Sequence, residues 1–137
     1  AFFLKFNHIY IMRKIIFTPN APPPIGPYSQ AIKVGHTLYV SGQIALDPKS
    51  GELLISNIEE ETHRVLDNIE AILHEAEMEF KDIVKCTVFV KNISQFTNIN
   101  AVYSTYFPKV GAPARELVEV SQLPKGVNIE ISCIAYK

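Results

Sequence analysis

Residues 112–131, Ala-Pro-Ala-Arg-Glu-Leu-Val-Glu-Val-Ser-Gln-Leu-Pro-Lys-Gly-Val-Asn-Ile-Glu-Ile, constrain the fold more than any other stretch of the chain. They read as two strands, 114–120 and 127–136, joined by a turn at Leu123-Pro124-Lys125-Gly126, where Pro fixes one φ and Gly tolerates a positive one. Each strand carries one awkward charge. Arg115 stands at the entry of the first beside Pro113. Glu130 sits between Ile129 and Ile131, where a neutral residue would be cheaper to bury. A guanidinium and a carboxylate on rigid strands are the parts needed to grip a small anion and to place a water.

Each charge has a competing reading. Arg115 suits bidentate binding of a substrate carboxylate, or a structural ion pair with Glu119 or Glu116. Glu130 suits a water-positioning group, or Arg115's salt-bridge partner. Counting a hairpin about Pro124-Lys125 puts Glu119, not Arg115, opposite Glu130. The two charges then meet only through a register shift, diagonally, or across subunits.

The rest of the chain supplies an α+β frame. Ile15-Ile16-Phe17 is a short strand, and the prolines of residues 18–27 impose an extended loop ending at Tyr28. Ser29–Val34 and Thr37–Ser41 form a hairpin about Gly35-His36, and Ser41-Gly42-Gln43 breaks the second strand. Ser56-Asn57-Ile58-Glu59 resembles a capping box. After it Ile58, Val65, Leu66, Ile69, Ile72, Leu73 and Ala76 trace one face of a long helix. The opposite stripe, with Glu59, Glu60, Glu61, Arg64, Asp67, Glu70 and Glu77, reads as solvated.

Val84–Lys91 alternates as a strand. A second helix, capped by Ser94, runs to Phe107 with Phe96, Ile99, Tyr103, Tyr106 and Phe107 on its apolar stripe. Asn100 falls on that stripe and needs a partner, either a backbone group or a ligand. The order β-β-β-α-β-α-β-β gives a six-stranded mixed sheet with both helices on one face. The uncovered apolar face predicts association into a closed oligomer.

With 137 residues, 47% of them hydrophobic, the chain has the size and composition of one globular domain. A net charge of −1 gives no general attraction to nucleic acid or membrane surfaces. Cys86 and Cys133 fall in apolar strand patterns without metal spacing and read as reduced core thiols, which points to a reducing, cytoplasmic setting. Residues 1–11 are set apart from the 12–137 domain as an extension of unknown role. A translated leader, vector-derived residues and part of an organelle-targeting peptide, such as a mitochondrial one, are all open. No run is long enough to span a membrane. No phosphate loop, nucleophile elbow or HExxH motif is present, and His63 and His74, eleven residues apart on one helix, are too distant to share an ion.

Gly26-Pro27-Tyr28-Ser29-Gln30, Ser41-Gly42-Gln43, Asn68-Ile69, Val88-Phe89-Val90-Lys91 and Pro113-Ala114-Arg115 through Glu130 together resemble the reactive intermediate deaminase family, also called YjgF-like, from about Met12 to Lys137. The resemblance implies a chorismate-mutase-like fold in a homotrimer, with a central β-barrel, helices outside and a site in each intersubunit cleft. It implies a cofactor-free enzyme that hydrolyses 2-imino acids or their enamine tautomers, released by pyridoxal-phosphate dehydratases, to 2-oxo acids and ammonia.

Carried onto this chain, Arg115 clamps the substrate carboxylate, Glu130 positions or deprotonates the attacking water, Tyr28 closes the cleft, and Ser41 and Asn100 line or support it. Where many members have a cysteine two residues after the arginine, this chain has Leu117, which leaves only a backbone contact there. Two other functions compete: a non-catalytic regulatory trimer that binds small carboxylates, and an endoribonuclease-type translation inhibitor, against which the near-neutral charge argues.

Overall fold

The structure, a computed structural model, describes residues 2–6 and 9–137, with side chains from residue 12 onward. The chain runs β1 (Phe2–Phe6), β2 (Ile9–Ile16), β3 (Ala31–Val34), β4 (Thr37–Gln43), α1 (Ile58–Glu75), β5 (Ile83–Val90), α2 (Phe96–Tyr106), β6 (Ala114–Glu119) and β7 (Ile129–Tyr136). The strands form one mixed sheet in the order β1-β2-β3-β4-β7-β5-β6. Six of them, β2 to β7, are the expected strands. The seventh, β1, comes from the segment set apart from the fold, and it pairs antiparallel with β2 from Phe2 beside Arg13 to Phe6 beside Ile9.

One expectation about the opening stretch is overturned. The two strands of 112–136 do not form a hairpin, because β5 lies between them, parallel to β6 and antiparallel to β7. The intervening segment therefore has to cross β5. It does so through a 3-10 turn at Pro124–Gly126, where Lys125 (φ 56°) and Gly126 (φ 68°) both take the left-handed region. Phe89, not Glu119, stands beside Glu130, and Glu119 stands beside Val90.

Period-two burial explains the layers. On β5 the buried residues Cys86, Val88 and Val90 face the helices, while Lys85, Thr87 and Phe89 face the other way. On β7 the buried residues Ile129, Ile131, Cys133 and Ala135 share the helix side. Leu66, Ile69, Ile72 and Leu73 of α1 complete this core with Ile99 of α2. Cys86 and Cys133 are free, buried and directly paired across β5 and β7. Both thiols are pushed up in pKa by burial, as inert core cysteines should be.

Two details of α1 differ from the sequence reading. The N-cap is Asn57, whose side chain accepts from the Glu60 amide at 2.8 Å, one residue later than the Ser56 box predicts. Glu61 is not solvated. It is fully buried and accepts from the backbone amide of Asn128 at 2.7 Å and from the Asn128 side chain at 2.8 Å, so it ties α1 to the start of β7. Among the described residues no helix is long and apolar enough to cross a membrane.

Candidate functional site

Arg115 lies beside Cys86 on β5, and its side chain shares the helix face with that residue. Its Nη1 donates to Asn100 Oδ1 at 2.8 Å. The guanidinium carbon lies 4.7 Å from the centre of the Tyr103 ring and 5.8 Å from that of Phe96, both within cation–π reach. Phe96, Asn100 and Tyr103 follow i, i+4, i+7 spacing on α2, so one helical stripe presents an acceptor and two rings to a single guanidinium.

None of the acidic candidates pairs with Arg115. Glu116 pairs with Lys85 at 2.7 Å, and Glu119 accepts from the Ile93 amide at 3.0 Å. Among the described residues, then, Arg115 is half-buried and has no carboxylate partner. It opens onto a surface cleft of about 710 Å³ that is also lined by Asn100, Tyr103, Ser104, Lys109 and Pro113. Leu117, two residues on, packs against the core from the edge strand of the sheet.

Glu130 lies beside Phe89 on β5 and faces away from the helices. A bulge explains its setting. Between Val40 and Gln43 the β4–β7 register slips, and Gly42 in that bulge lies so close that a Cβ there would sit 2.0 Å from Glu130 Oε1. A side chain at residue 42 would push the carboxylate end of Glu130 aside, so the glycine leaves it room. Burial holds the Glu130 carboxyl above its ordinary pKa, and among the described residues no hydrogen bond or ion pair reaches it.

Tyr28 and Ser41 belong to the same side. A cleft of about 330 Å³ is lined by Tyr28, Ser41, Gly42, Ile44, Pro124 and Glu130. The Ser41 hydroxyl donates to the Ser29 carbonyl at 2.6 Å, and the Tyr28 hydroxyl accepts from the Ile25 amide at 3.2 Å. Buried Gln30 anchors this loop, accepting from the Thr18 amide at 2.7 Å and donating to the carbonyls of Thr18, Ala21 and Pro22. These hydrogen bonds tie the proline-rich loop to the buried Gln30 side chain.

The predicted residues therefore divide into two groups. Arg115 and Asn100 meet on the helix face, with Leu117 close behind, while Glu130, Tyr28 and Ser41 meet on the open face. Sequence reasoning missed Tyr103 and Phe96 as neighbours of Arg115, and Gly42 as the seat of Glu130. Only the Ser41-Gly42-Gln43 strand break hinted at the last. His63 and His74 are exposed, and His63 Nδ1 lies 2.9 Å from the Tyr106 hydroxyl.

Comparison with known proteins identifies the fold and the family. Residues 18–137 match the endoribonuclease L-PSP family. The chain is 44% identical over 125 residues to a mouse protein named 2-iminobutanoate/2-iminopropanoate deaminase, covering 91% of this chain and 92% of the mouse one. It superposes on the YjgF gene product of E. coli with a TM-score of 0.85 at 44% identity, covering 90% of this chain and 98% of that one. E. coli TdcF, crystallised with bound serine, gives a TM-score of 0.85 at 39% identity with the same coverage. On these matches, with their shared two-helix, mixed-sheet architecture, the chain belongs to the endoribonuclease L-PSP family, also called the YjgF or reactive intermediate deaminase family.

Proposed function

We propose that the protein is a hydrolytic deaminase that converts 2-imino acids such as 2-iminobutanoate and 2-iminopropanoate, or their enamine tautomers, to 2-oxo acids and ammonia. The observation that carries this reading is Arg115. It is a half-buried guanidinium, aimed by Asn100 and two rings, open to a cleft and without a carboxylate partner among the described residues. Such a group suits a small carboxylate. The deaminase name of the mouse relative and the serine bound in TdcF, a small amino-acid carboxylate, support the same class of ligand.

In this reading Arg115 holds the carboxylate and Glu130 serves the water. An iminium carbon is already electrophilic, so orientation and a placed base supply most of the catalysis. Water oxygen bonds to the C2 carbon, its proton passes to the Glu130 carboxylate, and the C=N π pair moves to nitrogen. The carbinolamine then collapses: Glu130 returns the proton to nitrogen, and the oxygen lone pair forms C=O as the C–N bond breaks with its electron pair leaving on nitrogen. The hydroxyl proton passes by way of the Glu130 carboxylate to the departing ammonia, so one 2-oxo acid and one ammonium ion leave. Glu130 is suited to this exchange because burial raises its proton affinity while no partner occupies it among the described residues.

The two groups share a site only if two chains contribute. Arg115 and Glu130 flank β5 three residues apart in register and on opposite faces, so their backbones are roughly 14 Å apart on ordinary strand spacings. One small substrate does not bridge that. The exposed Ile15, Phe17, Tyr39 and Val118 leave apolar surface to cover, which supports a homotrimer with one site in each intersubunit cleft. The protein would then act downstream of a pyridoxal-phosphate dehydratase, without a cofactor of its own. Adding it to a threonine dehydratase reaction and following 2-oxobutanoate release tests the proposal.

A further inference from the structure

We infer that Tyr103 is a positioning residue, whose ring face holds the Arg115 guanidinium in the orientation that receives the substrate carboxylate. This rests on the reading of Arg115 as the carboxylate clamp.

One hydrogen bond, from Nη1 to Asn100, fixes one end of the guanidinium and leaves rotation about that end open. The Tyr103 ring closes it off, lying 4.7 Å from the guanidinium carbon, while Phe96 at 5.8 Å borders it more loosely. Tyr103 is itself immobilised. It is only 8% exposed, and its ring packs on Phe107 with centres 4.5 Å apart. The floor beneath Arg115 is therefore rigid, and a guanidinium held before the ligand arrives loses less freedom on binding.

The hydroxyl has a different status from the ring. It is fully buried and, among the described residues, has no hydrogen-bond partner of ordinary geometry; the Cys86 thiol is a polar group beside it. A buried, unsatisfied hydroxyl is unfavourable, and an apolar ring of the same shape would be cheaper. It lies in the core, so the positioning belongs to the ring, and phenylalanine should serve in its place.

The test measures affinity for sodium 2-oxobutanoate by titration calorimetry, together with kcat and KM, in the parent, Arg115→Ala, Tyr103→Phe, Tyr103→Leu and Phe96→Leu. Loss of a partly desolvated cation–π contact predicts that Tyr103→Leu binds about tenfold more weakly and shows a matching rise in KM, with kcat within about twofold. Tyr103→Phe should bind within about twofold of the parent and melt no lower.

Three results overturn the inference: Tyr103→Leu binding as tightly as the parent while Arg115→Ala does not bind, Tyr103→Phe failing alongside Tyr103→Leu, or a fall in kcat at constant KM. Should Tyr103→Leu not fold, Phe96→Leu on the exposed border should bind about threefold more weakly, and unchanged affinity there counts against the inference. A parent that does not bind, or an Arg115→Ala variant that binds equally well, overturns the reading of Arg115 itself.

Discussion

Arg115 and Glu130 flank the same strand, β5, yet face opposite sides of the sheet: Arg115 beside Cys86 towards the helices, Glu130 beside Phe89 away from them. A site that uses both must draw them from different subunits. Mixing inactive Arg115→Ala and Glu130→Gln proteins under subunit exchange should therefore restore activity, with roughly a quarter of the clefts intact at equal mixing. Activity that stays at the level of the single variants would show that both groups act from one chain.

The bulge at Gly42 makes a narrower prediction. A methyl group in Gly42→Ala meets Glu130 Oε1 at 2.0 Å and Cδ at 2.9 Å, and the flexible carboxylate end must move aside. With Glu130 as the proposed proton-transfer group, displacing it while Arg115 is untouched should lower kcat by about tenfold or more and leave 2-oxobutanoate affinity unchanged. Calorimetry beside steady-state kinetics separates the two effects.

The acid limb of kcat/KM should lie above the ordinary carboxyl value of 4.5, because burial raises Glu130 and the proposed mechanism has its ionised form accept the proton. The stability effect has a definite sign. With the folded pKa above the unfolded one, ionisation favours the unfolded chain, so stability is lost as pH rises from about the unfolded value through the folded one. Glu130→Gln should then melt higher than the parent at pH 7 and show no such gain at pH 4, in parallel thermal scans.

Glu61 should matter for stability and not for ligand contact. Removing it strands the half-buried backbone amide and side-chain amide of Asn128, two donors that share the Glu61 carboxylate. Glu61→Ala should cost about 2–3 kcal/mol in urea unfolding, with the loss localised by hydrogen exchange to the start of β7.

Much of this frame is legible in the sequence because burial imposes local periods. β5 alternates since helices cover one face only, and the β3–β4 hairpin announces itself at Gly35, which has φ 58°. Strand order has no such local signature. Residues 114–119 and 129–136 look like hairpin partners, and nothing in their side chains records that the chain between them crosses β5. Glu61 reads as one more residue on an acidic stripe because its partner, Asn128, lies 67 positions away. Tyr103 reads as core for the same reason, since the guanidinium on its ring arrives from another element. Arg115 and Glu130 were visible because charge is costly on a strand, but their separation to opposite faces is a product of the tertiary register.

The most direct test adds parent and Arg115→Ala protein to a threonine dehydratase reaction and times the appearance of 2-oxobutanoate. The parent should accelerate it. Arg115→Ala, with folding and assembly intact by light scattering, should leave it at the uncatalysed rate. A variant as fast as the parent, or a parent with no effect on freshly released imine, would contradict the account.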